Sequence, residues 1–246
     1  KYQSLLFVPD IEPGLALKTL AKFSDNIALT TPESKKWFSE NRKMTVTGYP
    51  LREDIKKWSK PEAQRYFGLN PDLPAILFMG GSSGARSINQ AVITILDQLL
   101  EKYQVIHLTG HLDWDAVQAA TVNAGDRYHP FPYLHEIGAA LAAADLAVSR
   151  AGASSLGEYP HFGLPAILVP YPHAWHYQKV NADYLVERGA AVMIRDEELQ
   201  FDLLPLIKDV MDNPAYLEHM SRAMSALSQP LAAERIASLL FEMAEA

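Results

Sequence analysis

The chain has 246 residues, 48% apolar and 21% charged, enough for one large α/β domain or for an ordinary domain with part of a second, and too hydrophobic for a disordered segment. Twenty-two Lys and Arg against 29 Asp and Glu give a net charge of −7, which argues against a nonspecific duplex-DNA footprint and leaves only local basic pockets. Without cysteine there is no disulfide framework, thiolate metal site or cysteine nucleophile, and the expected compartment is the cytoplasm.

The chain opens on Lys1 with no basic and apolar leader behind it, so its start reads as a cut or a processing point. Short β-type runs at Leu5 to Pro9, Ile27 to Thr31 and Met44 to Thr47 alternate with helical patterns at Pro13 to Phe23 and Pro32 to Glu40, each led by proline where a helix tolerates it best. From Trp58 to Asp72 the composition turns polar, and Ser59 to Glu62 matches a capping box, marking a boundary. Strands are then predicted at Ala75 to Met79, Gln104 to Thr109, Tyr128 to Phe131, Leu146 to Ser149, Ala166 to Pro170 and Ala191 to Ile194. Between them come helices at Gly84 to Lys102, Asp113 to Asn123, Glu136 to Ala144, Ser154 to Phe162 and Tyr177 to Arg188. Helices at Phe201 to Met211, Ala215 to Leu227 and Ala232 to Ala246 close the chain. The alternation predicts an α/β fold with a parallel sheet, helices on both faces, and ligands at the carboxyl ends of the strands. The longest apolar stretch, Ile137 to Leu156, contains Asp145 and Arg150 and reads as core rather than as a membrane span.

Two strand-to-helix junctions carry the chemistry. In Phe78-Met79-Gly80-Gly81-Ser82-Ser83-Gly84-Ala85-Arg86 a strand empties into small residues and a helix follows at once. Such a loop lets backbone approach a ligand, and the free amides of the helix start favour phosphate. Ser149-Arg150-Ala151-Gly152-Ala153-Ser154-Ser155-Leu156-Gly157-Glu158 repeats the plan, with Glu158 one turn in, where a carboxylate can reach a sugar hydroxyl. Two anion cradles at one sheet edge suggest a diphosphate. The plainer readings are a tight turn for the first junction and N-capping by Ser154 and Ser155 for the second.

Gly80 to Gly84 also fits the G-x-S-x-G elbow of an α/β-hydrolase, with Ser82 as nucleophile and Asp145 with His161, His173 or His176 as nominal partners. Asp113-Trp114-Asp115 resembles a metal-holding D-x-D pair but falls where a helix start attracts acids anyway. Neither G-x-x-x-x-G-K-[ST] nor G-x-G-x-x-G occurs, so nucleoside triphosphates and dinucleotides lose support.

Gly80 to Asn89 (GGSSGARSIN), Ala144 to Glu158 (ADLAVSRAGASSLGE) and Gly163 to Ala182 (GLPAILVPYPHAWHYQKVNA) resemble the donor half of the MurG family of lipid-linked N-acetylglucosaminyltransferases. Gly48-Tyr49-Pro50-Leu51-Arg52 resembles its short G-N-P-V-R element. The resemblance implies a GT-B fold, two Rossmann-like lobes facing across a cleft, divided here as 1–58 (end of an incomplete acceptor lobe), 59–230 (UDP-sugar lobe) and 231–246 (a helix returning to the first lobe). It further implies that Ser82, Ser83, Gly152, Ala153, Ser154 and Ser155 hold the diphosphate, Glu158 the ribose, Leu134 and Ile137 the base and Gln178 the sugar, with Arg52 approaching the donor from the hinge. Read without the family, Leu134 and Ile137 are core positions, and Gln178 and Asn181 fit a solvated helix face.

The activity implied by the resemblance is inverting transfer of a hexosamine from a UDP-sugar to an acceptor hydroxyl, lipid-linked in the family, with no cofactor or metal, no nucleic acid partner, and peripheral contact with the inner face of the membrane. A donor-binding subunit whose acceptor half lies elsewhere is the non-enzymatic alternative. The sequence departs from the family where its H-E-Q-N segment reads Phe7-Val8-Pro9-Asp10, without histidine, and where Trp175 and His176 replace the acids ahead of Gln178. The general base is unassigned.

Overall fold

In the computed structural model, which describes residues 2–81 and 83–245 and leaves aside the side chains of Ala174 and Trp175, the strands assemble into two separate parallel sheets. The first comprises β1 (Leu5–Val8), β2 (Asn26–Leu29) and β3 (Met44–Val46) in that order, with α1 (Leu15–Leu20) crossing from β1 to β2. Its own core is small: Val8, Ala21, Ile27 and Leu29. The segment Pro32–Trp37, predicted as an α-helix, is a 3-10 turn in which Ser34 is the one buried residue, so it has no apolar stripe to hold a longer helix down.

Two helices lead out of this sheet, α2 (Glu53–Lys56) and α3 (Lys60–Phe67). The capping box forms at the start of α3, with Ser59 and Glu62 each satisfying the other's backbone, and Gly68 ends the helix in the left-handed conformation. The short α2 has no counterpart in the predicted elements.

The second sheet is built from β4 (Ala75–Met79), α4 (Arg86–Leu100), β5 (Gln104–Leu108), α5 (Trp114–Ala120), β6 (Tyr128–Phe131), α6 (Ile137–Ala143), β7 (Leu146–Ser149), α7 (Ser155–Phe162), β8 (Ala166–Leu168), α8 (Trp175–Val186) and β9 (Ala191–Met193). Then α9 (Leu199–Met211), α10 (Pro214–Ser225) and α11 (Ala232–Glu245) close the chain. Successive residues of its strands feed opposite cores: Ala75, Leu77, Ala147 and Leu168 face α3, α6, α7 and α8, while Ile76, Phe78, Val148 and Ile167 face α4 and α9. Burial on both faces is why these strands read as unbroken apolar runs.

The strand order is β6-β5-β4-β7-β8-β9. The chain therefore winds outward from β4 in one direction, then jumps back to β7 and winds out in the other. The switch point lies between β4 and β7, whose last residues pair as Met79 with Ser149.

Asn181 of α8 fastens the two sheets together. It is fully buried, its Nδ2 donates to Asp10 Oδ1 (2.8 Å) and to the Ala151 carbonyl (3.1 Å), and its Oδ1 accepts from the Ile11 amide (3.1 Å). The expectation of a solvated face thus fails at this position. Arg188, in the turn just past α8, pairs with Glu33 of the first sheet's 3-10 turn, and Arg235 of α11 donates to the Thr47 carbonyl at 3.4 Å.

Candidate functional site

The loop after β4 turns back on itself so sharply that a Cβ on Gly80 would lie 2.2 Å from the Ala85 nitrogen. Gly84, at φ +79°, sits against the loop that follows β5, and a Cβ there would lie 2.1 Å from the Thr109 carbonyl oxygen. Both the dihedral and the contact exclude a side chain. Gly84→Ala is expected to lower unfolding free energy by at least about 2 kcal/mol, read from denaturant titration.

Glycine geometry thus brings the amino end of α4 to the sheet edge without a cap. The residue before the helix, Ala85, has no capping side chain, and the amides of Arg86, Ser87 and Ile88 meet no acceptor among the described residues. At the neighbouring strand, α7 starts on a tight turn in which the Ser155, Leu156 and Gly157 amides donate to the carbonyls of Gly152, Ala153 and Ser154 at 3.0, 3.1 and 3.0 Å. The amides of Gly152, Ala153 and Ser154 themselves meet no acceptor among the described residues. Neither serine side chain caps the helix: Ser155 Oγ donates to the Gly152 carbonyl at 2.6 Å, and the Ser154 hydroxyl bonds Glu158.

The two amino ends open on one cleft of about 660 Å³, lined by Ser83, Gly152, Ser154, Ser155 and Gln178 among others. Gln178 is anchored there by the Tyr171 amide, which donates to its Oε1 at 2.8 Å. A side chamber of about 180 Å³ shares Met79, Gly81 and Ser154 with the cleft and gathers Arg52, Leu134, Ile137 and Glu158. Of the remaining candidates, Ala153 borders neither space and Ser82 lies outside the described residues. Leu134 is 9% exposed, so it serves the core and the chamber wall at once.

Burial pushes the Glu158 carboxyl up, and the Ser154 hydrogen bond and the Arg52 charge pull it only part of the way back. Tyr49, whose ring fills the space where a Cβ on Gly157 would go, is raised by burial first and then by the charges of Glu158 and Asp10.

Sequence reasoning did not single out Arg150 as a site residue. Its guanidinium lies under the cleft, donating to Asp196 Oδ1 (2.5 Å), Ser87 Oγ (2.8 Å) and the Val169 carbonyl (3.2 Å), with the Tyr171 ring 5.2 Å away. The available signal was a lone cation inside an apolar stretch. Asp113 is likewise committed, accepting from Arg86 Nε (2.9 Å) and Asn89 Nδ2 (3.0 Å).

The serine hydrolase alternative does not assemble. Asp145 exchanges hydrogen bonds with Ala75 at the amino end of β4, through its amide (2.8 Å) and its Oδ2 (2.9 Å). The Gly81 to Ser83 loop leaves the opposite end of that strand, roughly 13 Å away at the usual rise per residue. His176 is engaged with Glu12 of the first lobe at 2.7 Å.

Residues 75–236 match the glycosyltransferase family 28 C-terminal domain. The chain is 37% identical, over 96% of its length and 63% of the relative's, to a UDP-N-acetylglucosamine–N-acetylmuramyl-(pentapeptide) pyrophosphoryl-undecaprenol N-acetylglucosamine transferase of Roseiflexus sp. (strain RS-1). It is 36% identical to the protein of the same name from Desulforamulus reducens, over 89% of this chain and 61% of that one. It therefore spans less than two thirds of either relative. The crystal structure of Acinetobacter baumannii MurG superposes with a TM-score of 0.77 at 23% identity, covering 98% of this chain and 67% of that one, which places the fold with the GT-B glycosyltransferases. The chain belongs to glycosyltransferase family 28, among its MurG-like members.

Proposed function

We propose that this protein transfers N-acetylglucosamine, with inversion, from UDP-N-acetylglucosamine to the hydroxyl of a lipid-linked acceptor. The observation that carries the reading is the convergence of two uncapped helix amino ends, from β4 and β7, on one cleft at the topological switch point. The free amides of Gly152 and Ser154 and of the α4 start receive the diphosphate, with Ser83 at its edge. Glu158 accepts from the ribose hydroxyls, and Leu134 and Ile137 sandwich the base in the side chamber. Gln178 contacts the sugar from α8, and Arg52 approaches from the hinge. As the bond from the anomeric carbon to the diphosphate breaks, the developing negative charge falls on fixed backbone dipoles that need no reorganisation.

On this reading residues 1–58 belong to the acceptor side, 59–230 hold the donor, and 231–246 return to the first lobe. Among the described residues no helix is long and apolar enough to cross a membrane; on this reading the lipid-linked acceptor is met by peripheral contact at the inner face of the membrane.

Calorimetric titration tests the reading. UDP binds at least about tenfold more tightly than UMP, since a second phosphate adds charge-assisted hydrogen bonds worth upward of about 1.4 kcal/mol. Absence of UDP binding, or equal affinity for the two nucleotides, refutes it.

A further inference from the structure

We propose that Arg86 is the cation that receives the second phosphate of the donor's diphosphate, aimed into the cleft by Asp113. The proposal rests on the transferase reading above and deepens it, dividing the two phosphates between the two helix amino ends.

Arg86 and Arg150 both border the cleft. Arg150 is spent, its guanidinium already serving Asp196, Ser87 and the Val169 carbonyl. Arg86, the first residue of α4, is not. Its side chain is 70% exposed, its Nε donates to Asp113 Oδ1 at 2.9 Å, and its two terminal nitrogens meet no acceptor among the described residues. A guanidinium held through Nε keeps Nη1 and Nη2 as a planar donor fork, the geometry that suits a phosphate. The unpaired amides of Arg86, Ser87 and Ile88 stand at the same helix end, so the side-chain charge and the backbone dipoles act on one anion.

Asp113 is in turn held by a buried chain of hydrogen bonds. Asn89 is 2% exposed, and its Nδ2 donates to Asp113 Oδ2 (3.0 Å) and to the Thr109 carbonyl (2.8 Å). Both amide protons are thus used on oxygen acceptors, so Asn89 Oδ1 accepts and His107 Nε2 carries the proton of their 2.9 Å bond. His107 Nδ1 then accepts from the Tyr128 hydroxyl at 2.7 Å. His107 is fully buried and burial pushes its pKa down to about 3, so the ring stays neutral and keeps this tautomer. The relay runs from β6 through β5 and α4 and surfaces at one guanidinium, which is how a rigid interior fixes an exposed binding group.

The order of the phosphates follows from which residues the two spaces share. Ser154 borders both the cleft and the side chamber, whereas Arg86 and Asp113 border the cleft alone. With the base and ribose in the chamber, the phosphate next to the ribose meets Ser154 and the following one meets the α4 start. Arg86 therefore faces the phosphate on which negative charge grows as the sugar departs.

The test is calorimetric titration of the full chain with UDP and with UMP. In Arg86→Gln, UDP affinity falls at least about tenfold while UMP affinity stays within about twofold, so the preference for the diphosphate collapses. Asp113→Ala separates aiming from charge. Removing an anion beside a phosphate site tightens UDP if charge alone matters, whereas releasing the Arg86 fork loosens it. The expected result is a loss of at least about threefold in UDP affinity, and no further loss when Asp113→Ala is added to Arg86→Gln. The Asp113 side chain does not cap α5, and Asn89 keeps its bond to Thr109, so the fold survives the change. Should Asp113→Ala fail to melt cooperatively, Arg86→Gln decides alone. An unchanged ratio of UDP to UMP affinity in Arg86→Gln overturns the proposal, whether both affinities hold or both fall together. Tighter UDP binding by Asp113→Ala overturns the aiming role. A wild-type protein that binds no UDP, or binds UDP and UMP equally, refutes the transferase reading itself, and the role of Arg86 falls with it.

Discussion

Gly152→Val is expected to abolish UDP binding while leaving the fold intact. A Cβ built at Gly152 meets nothing within 4 Å, so the added side chain enters the open cleft rather than the protein interior. It does so beside the unpaired amide of Ser154, where a phosphate oxygen must come to about 2.8 Å for a charge-assisted bond. Two extra methyl groups close that approach. The loss is expected to exceed about 100-fold in affinity, or about 2.7 kcal/mol, by calorimetry. The thermal midpoint should move by no more than about 2 °C, because no buried contact changes. Gly84→Ala instead costs stability, since its Cβ meets backbone rather than solvent. Wild-type UDP affinity in Gly152→Val would remove the diphosphate from this cradle.

The contrast between these glycines shows where the sequence could be read and where it could not. The strand Leu146–Ser149 forms over the residues its pattern predicts, because burial on both faces leaves the same apolar signature whatever packs against it. Both glycine-serine junctions were visible for a local reason: small residues between a strand and a helix admit few conformations. Which junctions become neighbours was not visible, since the pairing of Met79 with Ser149 depends on a crossover that places β7, not β5, on the far side of β4.

Long-range polar contacts were the least legible. Asn181 bonds Asp10 from 171 residues away, and Arg150 meets Asp196 from 46 away, and neither separation leaves a periodic trace. Asn181 occupies a helix otherwise polar enough to look solvated, and only packing of the first lobe over α8 buries it. The Pro32–Trp37 turn failed for the converse reason: its proline start was read, but the face needed to extend it is missing.

Glu158→Gln should stabilise the protein near neutral pH and at the same time weaken UDP binding. Desolvation is the largest influence on Glu158, exceeding the help from Ser154 and Arg52, so its carboxyl is raised above the value it has in the unfolded chain. Between the unfolded and folded values the native state holds more protons than the unfolded state, and stability falls as pH rises through that window. Above it the ionised carboxylate remains a net cost, which the neutral amide does not carry. Thermal midpoints of Glu158→Gln should therefore exceed wild type at pH 7 to 8, with the difference shrinking as acid protonates the wild-type side chain. Binding runs the other way. A carboxylate accepts two ribose hydroxyls more strongly than an amide oxygen accepts one, and the loss is expected at about 1.5–3 kcal/mol, at least tenfold in UDP affinity. Wild-type affinity should also decline as pH falls through the raised Glu158 value, whereas Glu158→Gln binds UDP with little pH dependence over the same range. A variant that lost stability and affinity together would mark Glu158 as a structural residue. Gain in one and loss in the other is the signature of a charge kept, at a cost to the fold, for a ligand.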